Sequence, residues 1–342
     1  MKPKTTEDIF ELLDAAVMSA ALGAAMEHNL FWILAEGPKK AVEISEELVI
    51  TVSRCQNWLE LMCSLGLLNR TVDGYQISEL GKTAILDAYS PDTWAFLARE
   101  ARKRYPVLVD LALNIKEPVS IWETQGLTPP DYFEMMRHEP EYARGFTRML
   151  YEIHRPLANE VATMTAMSGA TNILDLGGGS GVMSLAFLDR CPTLRAIVVD
   201  IDSVCAVGQD IARERGLSDR ITYQTLDYIR DTLPKGFDRV LYCDAGPYTV
   251  DMFKKIREAL VPNGRLIMVD QFSPAPGIAP APLMTWAFLG SLQNPASTGF
   301  STAASVISRL EKAGFREISV FDVPHKRNVR WEAGWQIIEA SA

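Results

Sequence analysis

The sequence predicts an α/β fold in which a Rossmann-like, mostly parallel sheet follows an α-helical, winged-helix-like N-terminal domain. Three observations carry this. After Ser168-Gly169-Ala170, short β-rich runs recur at roughly 20–25-residue intervals with helical text between them, the pattern of parallel strands covered on both faces by helices. The first of these runs ends in the glycine-rich stretch Gly177–Gly181. Near the N-terminus, two short helical patterns precede a hairpin built on Asp73-Gly74, a dipeptide suited to a tight two-residue turn.

From Asp8 to about Ala35, apolar residues such as Ile9, Leu12, Leu13, Val17 and Leu22 recur at helical spacing, with Thr6 placed to cap the start and His28 a point where the helix could break. Its apolar face and its small-residue face (Ala20, Ala21, Gly23, Ala24, Ala25) are too wide for one neighbour, which favours a dimer interface. Two short helices are expected at Ala41–Leu48 and Ser53–Leu65, then strands flanking Asp73-Gly74. This winged-helix pattern also occurs in DNA-binding regulators. Here the second helix carries Arg54 as its only cation and is filled with Trp58, Leu59, Leu61, Met62 and Leu65, so a structural or dimerising role is expected instead.

The domain expectation is residues 1–92 for this N-terminal part, 93–167 for a helical bridge contributing to an acceptor pocket, and 168–342 for the sheet domain. In the bridge, Tyr132–Thr165 reads as richly helical. Strands are expected at Asn172–Leu176, Ala196–Asp200, Ile221–Thr225, Asp238–Cys243 and Arg265–Asp270, then a helix at Ala303–Ala313 and two last strands at Glu317–Phe321 and Trp335–Glu339.

Composition narrows the function. The 342 residues are 48% hydrophobic and 23% charged, ordinary for a globular enzyme, and the net charge of −9 repels phosphate backbones and anionic membranes. Nucleic acid is not an expected partner. No apolar h-region opens the chain and no uninterrupted run of 18 apolar residues occurs, so a cytoplasmic protein without membrane insertion is expected. Five scattered cysteines suggest neither disulfides nor a metal site; four are expected to be buried thiols, and Cys243 alone stands where chemistry is conceivable.

Four motifs carry the chemistry. In Ile173-Leu174-Asp175-Leu176-Gly177-Gly178-Gly179-Ser180-Gly181, a strand ends in an acid and a glycine loop opens a helix, letting a ligand approach the backbone closely. In Val198-Val199-Asp200-Ile201-Asp202, a second strand ends in a carboxylate able to accept both hydroxyls of a ribose. The glycine loop lacks the Gly-x-Gly-x-x-Gly register of nicotinamide-dinucleotide enzymes. Thr225-Leu226-Asp227-Tyr228 offers an acid for an adenine amine, with Tyr228 or Ile229 to cover a ring face. Val261-Pro262-Asn263-Gly264 is a turn feeding a further strand.

In this order, the four motifs resemble those of class I S-adenosylmethionine (SAM)-dependent methyltransferases. With the N-terminal layout the resemblance extends over nearly the whole chain, to small-molecule O-methyltransferases with an N-terminal dimerisation domain: caffeate and hydroxyindole enzymes, and bacterial tailoring enzymes of antibiotics, carotenoids and bacteriochlorophylls. The resemblance implies SAM as cofactor and a homodimer. It implies cofactor contacts at Asp175, Gly177, Gly178, Gly179, Asp200, Ile201, Asp227, Tyr228 and Cys243. Many members place a His-Asp pair after the fourth strand, the histidine serving as base on a phenol. Here that stretch reads Leu241-Tyr242-Cys243-Asp244-Ala245-Gly246-Pro247-Tyr248, without histidine.

The replacements to weigh are Tyr248 or Tyr242, orienting the acceptor or acting as a base of lowered pKa, Asp244 as base, and His154 from the bridge. Glu152-Ile153-His154-Arg155 is similar to the corresponding helix of bacteriochlorophyll-type methyltransferases. The sulfonium is an activated electrophile, so alignment and water exclusion can suffice. Methyl transfer to a hydroxyl, or to an activated carbon, of a small, planar, largely apolar acceptor is expected, with Pro280–Phe300 forming part of the pocket. The competing readings are a SAM-binding relative that catalyses a different reaction and, far behind, a ligand-sensing regulator.

Overall fold

In the computed structural model, which describes residues 3–295, 300–324 and 333–342, the chain forms two units, Met1–Val109 and Asp110–Ala342. The first begins with α1 (Thr6–Glu27). Its cap is Thr5 rather than the expected Thr6: the Thr5 hydroxyl accepts the Asp8 N–H at 3.2 Å while the Asp8 carboxylate accepts the Thr5 N–H at 2.8 Å, satisfying two orphan donors reciprocally. Asn29, at φ 57, breaks the long apolar pattern after His28, and α2 (Leu30–Ala35) follows. Then come α3 (Ala41–Glu47), α4 (Val52–Ser64), the hairpin β1 (Leu68–Thr71) and β2 (Gly74–Ile77), and α5 (Glu79–Gly81), α6 (Pro91–Arg102) and α7 (Tyr105–Leu108).

The unit's core is Leu30, Phe31, Leu34 and Ile44 with Cys55, Leu59 and Met62 of α4, so the apolar side chains of that helix pack inward. Trp58 Nε1 donates to the Ala21 carbonyl at 3.0 Å, tying α4 to α1. The other side of α1 is open: Leu13 is 74% and Val17 66% exposed, beside exposed Ile9, Phe10 and Leu12. Among the described helices, α1 alone is long and apolar enough to cross a membrane by length and composition.

In the second unit, α8 (Leu111–Asn114) precedes α9 (Tyr132–His138) and α10 (Pro140–Met164). The richly helical segment Tyr132–Thr165 is divided at Glu139 (φ −117, ψ 87), because the residue before a proline is pushed out of the helical region. The sheet domain then runs β3 (Asn172–Leu176), α11 (Val182–Arg190), β4 (Arg195–Asp200), α12 (Asp202–Glu214), β5 (Ile221–Thr225), β6 (Phe237–Cys243), α13 (Val250–Ala259), β7 (Leu260–Asp270), α14 (Met284–Gln293), α15 (Ala303–Lys312), β8 (Arg316–Asp322) and β9 (Gln336–Ser341). β7 begins earlier than expected: Leu260 already pairs with Phe237 before Asn263, at φ 64, turns the chain.

The seven strands lie in the order β5-β4-β3-β6-β7-β9-β8, and β9 runs antiparallel to both neighbours. From β3 the chain winds first toward β4 and β5, then crosses to β6 and β7 on the other side. Ligands bind at such a switch, outside the carboxyl ends of the strands. Successive residues of β3 enter opposite cores: Ile173 packs with Leu185, Val198 and Ile211, whereas Leu174 and Leu176 pack with Val240, Phe253 and Leu266. Each such side chain, essentially absent from the surface, contributes roughly 1.5–3 kcal/mol.

One contact joins this packing to the glycine loop. Tyr223 of β5 donates its hydroxyl to the Ser180 carbonyl at 2.8 Å, and its ring lies against Gly208 of α12, where an added Cβ would come within 2.2 Å of Tyr223 Cε1. Gly208→Ala is therefore expected to lower the free energy of unfolding by about 1–3 kcal/mol, the usual cost of overpacking. Denaturant unfolding checks it, and an unchanged midpoint would contradict this packing.

Candidate functional site

Five successive parallel strands bring a carboxylate to the same edge of the sheet: Asp175 is the penultimate residue of β3, Asp200 ends β4, Asp227 follows β5, Asp244 follows β6 and Asp270 ends β7. Asp175 is 1% exposed and accepts the Ser184 hydroxyl at 2.7 Å through Oδ2, while Oδ1 is buried without a hydrogen-bond partner. Burial pushes its carboxyl up to about 6. A Cβ on Gly178 would stand 2.5 Å from the Asp175 carboxyl carbon, so only glycine lets the loop pass over this acid. Gly179, at φ 60, has open space where a Cβ would be, which makes a cradle for a ligand pressed onto the backbone.

Asp200 joins the loop to β4. Its Oδ2 accepts the Gly179 N–H at 2.9 Å and its Oδ1 the Ile201 N–H at 2.8 Å, and burial still raises its pKa. Ile201 packs with Val204, Tyr142 and Phe146 at the start of α12. Asp227 is exposed and accepts the Ile229 and Arg230 N–H groups at 3.1 and 3.2 Å, shaping the turn that carries Tyr228. Tyr228 donates to the Ala245 carbonyl at 2.7 Å and lies 3.2 Å from the Cβ position of Gly177. It spans from the glycine loop to the loop after β6, whereas Ile229 is 55% exposed.

That loop and the end of β7 form the second part of the site. The Asp244 N–H donates to the Val269 carbonyl at 3.0 Å, so Asp244 stands beside Asp270 on the adjoining strand. By area Asp244 is open to solvent, yet protein surrounds its carboxyl closely. This crowding and the charge of Asp270 push it up to about 7. Tyr248 donates its hydroxyl to Asp270 Oδ2, and its ring packs on Phe253, Tyr242 and Phe272. Its pKa is raised by burial and by Asp270, not lowered, so Tyr248 is a neutral donor that orients rather than a base.

Of three further candidates, Tyr242 and Cys243 border this group and His154 is not brought into it. Tyr242 is fully buried in the core below the loop, with its hydroxyl on the Pro247 carbonyl at 3.1 Å and its ring against Tyr228 and Tyr248, so it supports these two rather than touching the acceptor. His154 on α10 stacks edge-on against Trp335 at 5.7 Å and places Nδ1 3.1 Å from the Leu150 carbonyl; burial lowers its pKa and holds it neutral. Cys243 is half-buried against the opposite core from Tyr242, its thiol pKa raised by burial and nearby Asp175. Of the other cysteines, Cys55 and Cys205 are buried as expected, while Cys63 and Cys191 are only partly covered.

The structure adds Ser184, Asp270 and Tyr132. Asp270 ends its strand in an acid as Asp200 does, and as Asp175 does within one residue, a signal already in the sequence. Tyr132 carried none. It opens α9, which is fixed to α12 by the bond from the Ser203 hydroxyl to the Met136 carbonyl, and its ring packs on Phe146 at 5.2 Å. Its phenol feels Asp200, Asp244 and Tyr228 at once, and with burial they raise its pKa, while 41% of the residue stays exposed. Just before α9, the Pro130 carbonyl accepts Gln293 Nε2 of α14 at 2.8 Å, the Leu292 carbonyl accepts the Ile121 N–H at 3.0 Å, and α14 presents exposed Met284, Trp286 and Phe288. Of the expected pocket segment Pro280–Phe300, residues 296–299 lie outside the described residues.

A surface cavity of about 540 Å3, lined by Thr163, Thr165, Asp189, Arg190 and Cys191, lies at the far ends of α10 and α11 and takes no part in this arrangement. At the sheet edge, by contrast, the residues suit SAM: a glycine cradle, a nucleoside-accepting carboxylate in Asp200, and an unpartnered buried oxygen on Asp175 ready for a donor such as an ammonium group.

Comparison with known proteins agrees. Residues 107–315 match the O-methyltransferase domain family, and residues 10–86 the O-methyltransferase dimerisation domain. The chain is 27% identical over 317 residues, 90% of each protein, to the N,N-dimethyltransferase OxyT of Streptomyces rimosus. Other relatives carry names for O-methylation and for C-methylation. Two solved structures share the fold: mitomycin 7-O-methyltransferase MmcR (22% identity, TM-score 0.78, 98% of this chain and 97% of that one) and human N-acetylserotonin methyltransferase in complex with SAM (21% identity, TM-score 0.75, 100% and 99%).

The raised carboxyls have a measurable consequence. In the folded chain Asp175 and Asp244 keep protons at pH values where the unfolded chain has lost them, so their contribution favours folding below about pH 4 and is lost as pH rises through about 6 and 7. For the fully buried Asp175 this is on the order of 2–3 kcal/mol. Ligand-free Asp175→Asn protein is therefore expected to show a flatter fall in unfolding free energy between pH 4 and 7 than the wild type. Equal slopes in denaturant titrations at several pH values would contradict it.

Proposed function

Because the chain belongs to the O-methyltransferase family, with the family's catalytic domain at 107–315 and its dimerisation domain at 10–86, we propose that it transfers a methyl group from SAM to a small, planar, largely apolar acceptor. The observation that carries this reading is the bond from the Gly179 N–H to Asp200, which joins a glycine cradle to a ribose-accepting carboxylate at the sheet's switch point. SAM supplies an activated methyl group. The protein's part is to bind, align and exclude water.

In this reading Asp200 accepts the ribose hydroxyls, Asp227 an adenine amine, and the Gly177–Gly179 backbone lies against the cofactor with Ile201 and Cys243 lining it. Asp175 Oδ1 takes an N–H or ammonium donor, while Tyr228 and Tyr132 wall the nucleoside between the loop after β6 and α9. Tyr248, fixed by Asp270, orients the acceptor, and Asp244 holds or receives its proton. Met284, Trp286 and Phe288 of α14 cover the planar framework. The sequence expectation of a hydroxyl acceptor, with an activated carbon as the alternative, rests on the family. No residue here repeats the family's histidine base, which leaves the choice of atom to the carboxylates at the acceptor end.

The exposed apolar face of α1 lies within the dimerisation-domain match, which supports a homodimer in which the partner subunit, rather than lipid, covers that face. A cytoplasmic enzyme of secondary metabolism is the accompanying reading. No observation favours a relative that binds SAM without transferring methyl groups.

Isothermal titration of SAM is expected to show binding that Asp200→Ala weakens by about 1–3 kcal/mol, the worth of a charge-assisted hydrogen bond. Tyr132→Ala is expected to weaken it as well, by less. Absence of binding to wild-type protein would overturn the proposed function.

A further inference from the structure

We infer that the methyl-accepting atom is the nitrogen of a basic amine on a planar apolar framework, held against the paired carboxylates of Asp244 and Asp270. This rests on the methyltransferase function proposed here and assigns its substrate class.

The placement comes from strand register. Cys243 pairs with Val269, so the next residues, Asp244 and Asp270, end adjoining parallel strands, and the Asp244 N–H is bonded to the Val269 carbonyl. Tyr248 supplies its one proton to Asp270 and stays neutral, so it adds no base. The groups facing Asp244 are Asp270, Tyr248, Tyr132 and the neighbouring Cys243 thiol, and all are acidic or neutral. Asp175 and Asp200 lie on the next strands of the same edge. Among the described residues, no lysine, arginine or histidine forms an ion pair with Asp175, Asp200, Asp244 or Asp270.

Such a field opposes a phenol, which must build negative charge on oxygen before it attacks, and favours a nitrogen nucleophile, which arrives carrying a proton and builds positive charge as it attacks. Stacked carboxylates without a cation are what an ammonium group requires. The ammonium gives one proton to the Asp244–Asp270 pair, and the freed lone pair of nitrogen forms the new N–C bond as the methyl–sulfur bond breaks. Its electrons return to sulfur, which leaves as a neutral thioether. A second proton on the methylated nitrogen is released through the same pair to solvent. Exposure of Asp244 gives that proton a way out. Tyr248, packed on Phe253 and Phe272, fixes Asp270 so that the pair faces the acceptor rather than turning into the core.

The test uses full-length protein saturated with S-adenosylhomocysteine and three probes sharing one ring system: 1-naphthylmethylamine, 1-naphthylmethanol and 1-naphthol. Calorimetric binding at pH 8 is expected to favour the amine over both oxygen probes by tenfold or more. Asp244→Asn and Asp270→Asn should erase that advantage while retaining the secondary structure seen by circular dichroism. In the wild type, without any substitution, the advantage should shrink at pH 5.5, where the pair holds more protons. An oxygen probe that binds as well as the amine, an amine that does not bind, or an advantage that survives both substitutions and the lower pH would overturn the assignment. So would Asp244→Asn weakening SAM far more than S-adenosylhomocysteine without touching amine binding, since the pair would then serve the sulfonium. Each of these leaves the methyltransferase function standing as long as SAM binds. Failure of SAM to bind would strike that function instead.

Discussion

The parallel register of β5, β4, β3, β6 and β7 is the constraint on which the site depends. Parallel strands all end at one edge, so any residue type repeated at strand ends is gathered there whatever its distance in sequence. In this chain the repeated type is aspartate, at 175, 200, 227, 244 and 270. The apolar packing on both faces of the sheet holds these carboxylates closer together than they would stand in water.

Four of these acids, Asp175, Asp200, Asp244 and Asp270, have no ion-paired cation among the described residues, which works against folding, and the structure shows how the opposition is contained. Asp200 and Asp227 are satisfied by backbone N–H groups of the turns they shape, Asp270 by Tyr248, and Asp175 at one oxygen by Ser184. Among the described residues Asp244 has no such donor, and it is open to solvent. The remaining demand for positive charge falls on what binds: a sulfonium donor and, at the acceptor end, a protonated nitrogen. The apolar cores on either face of the sheet supply the stability that offsets this arrangement.

Much of this was legible in the sequence, for reasons that differ by element. The strand boundaries of β3 and β5 follow from short β-branched runs bounded by glycine or charge, and the glycine loop with Asp175 and Asp200 reads directly because its geometry tolerates few other residues. Asp270 obeyed the same rule of an acid at a strand end and could have been found by it. Tyr242 could not be placed, because alternation says that it faces opposite to Leu241 and Cys243 but not that Tyr228 and Tyr248 cover it there. Tyr132 was hidden for a different reason. Its role depends on the break at Glu139, which sets α9 apart from α10 and fixes it to α12, a tertiary outcome no local pattern encodes. The direction of the Tyr248 shift likewise depends on Asp270 being its partner, a contact across 22 residues of sequence.

The most direct measurement is a crystal structure of the protein with S-adenosylhomocysteine. The ribose hydroxyls are expected on Asp200, the adenine beside Asp227 and Tyr228, Tyr132 closing over the nucleoside, and the sulfur directed toward Asp244 and Tyr248. A ligand bound with its sulfur turned away from Asp244, or seated elsewhere than on the Gly177–Gly179 backbone, would contradict this placement.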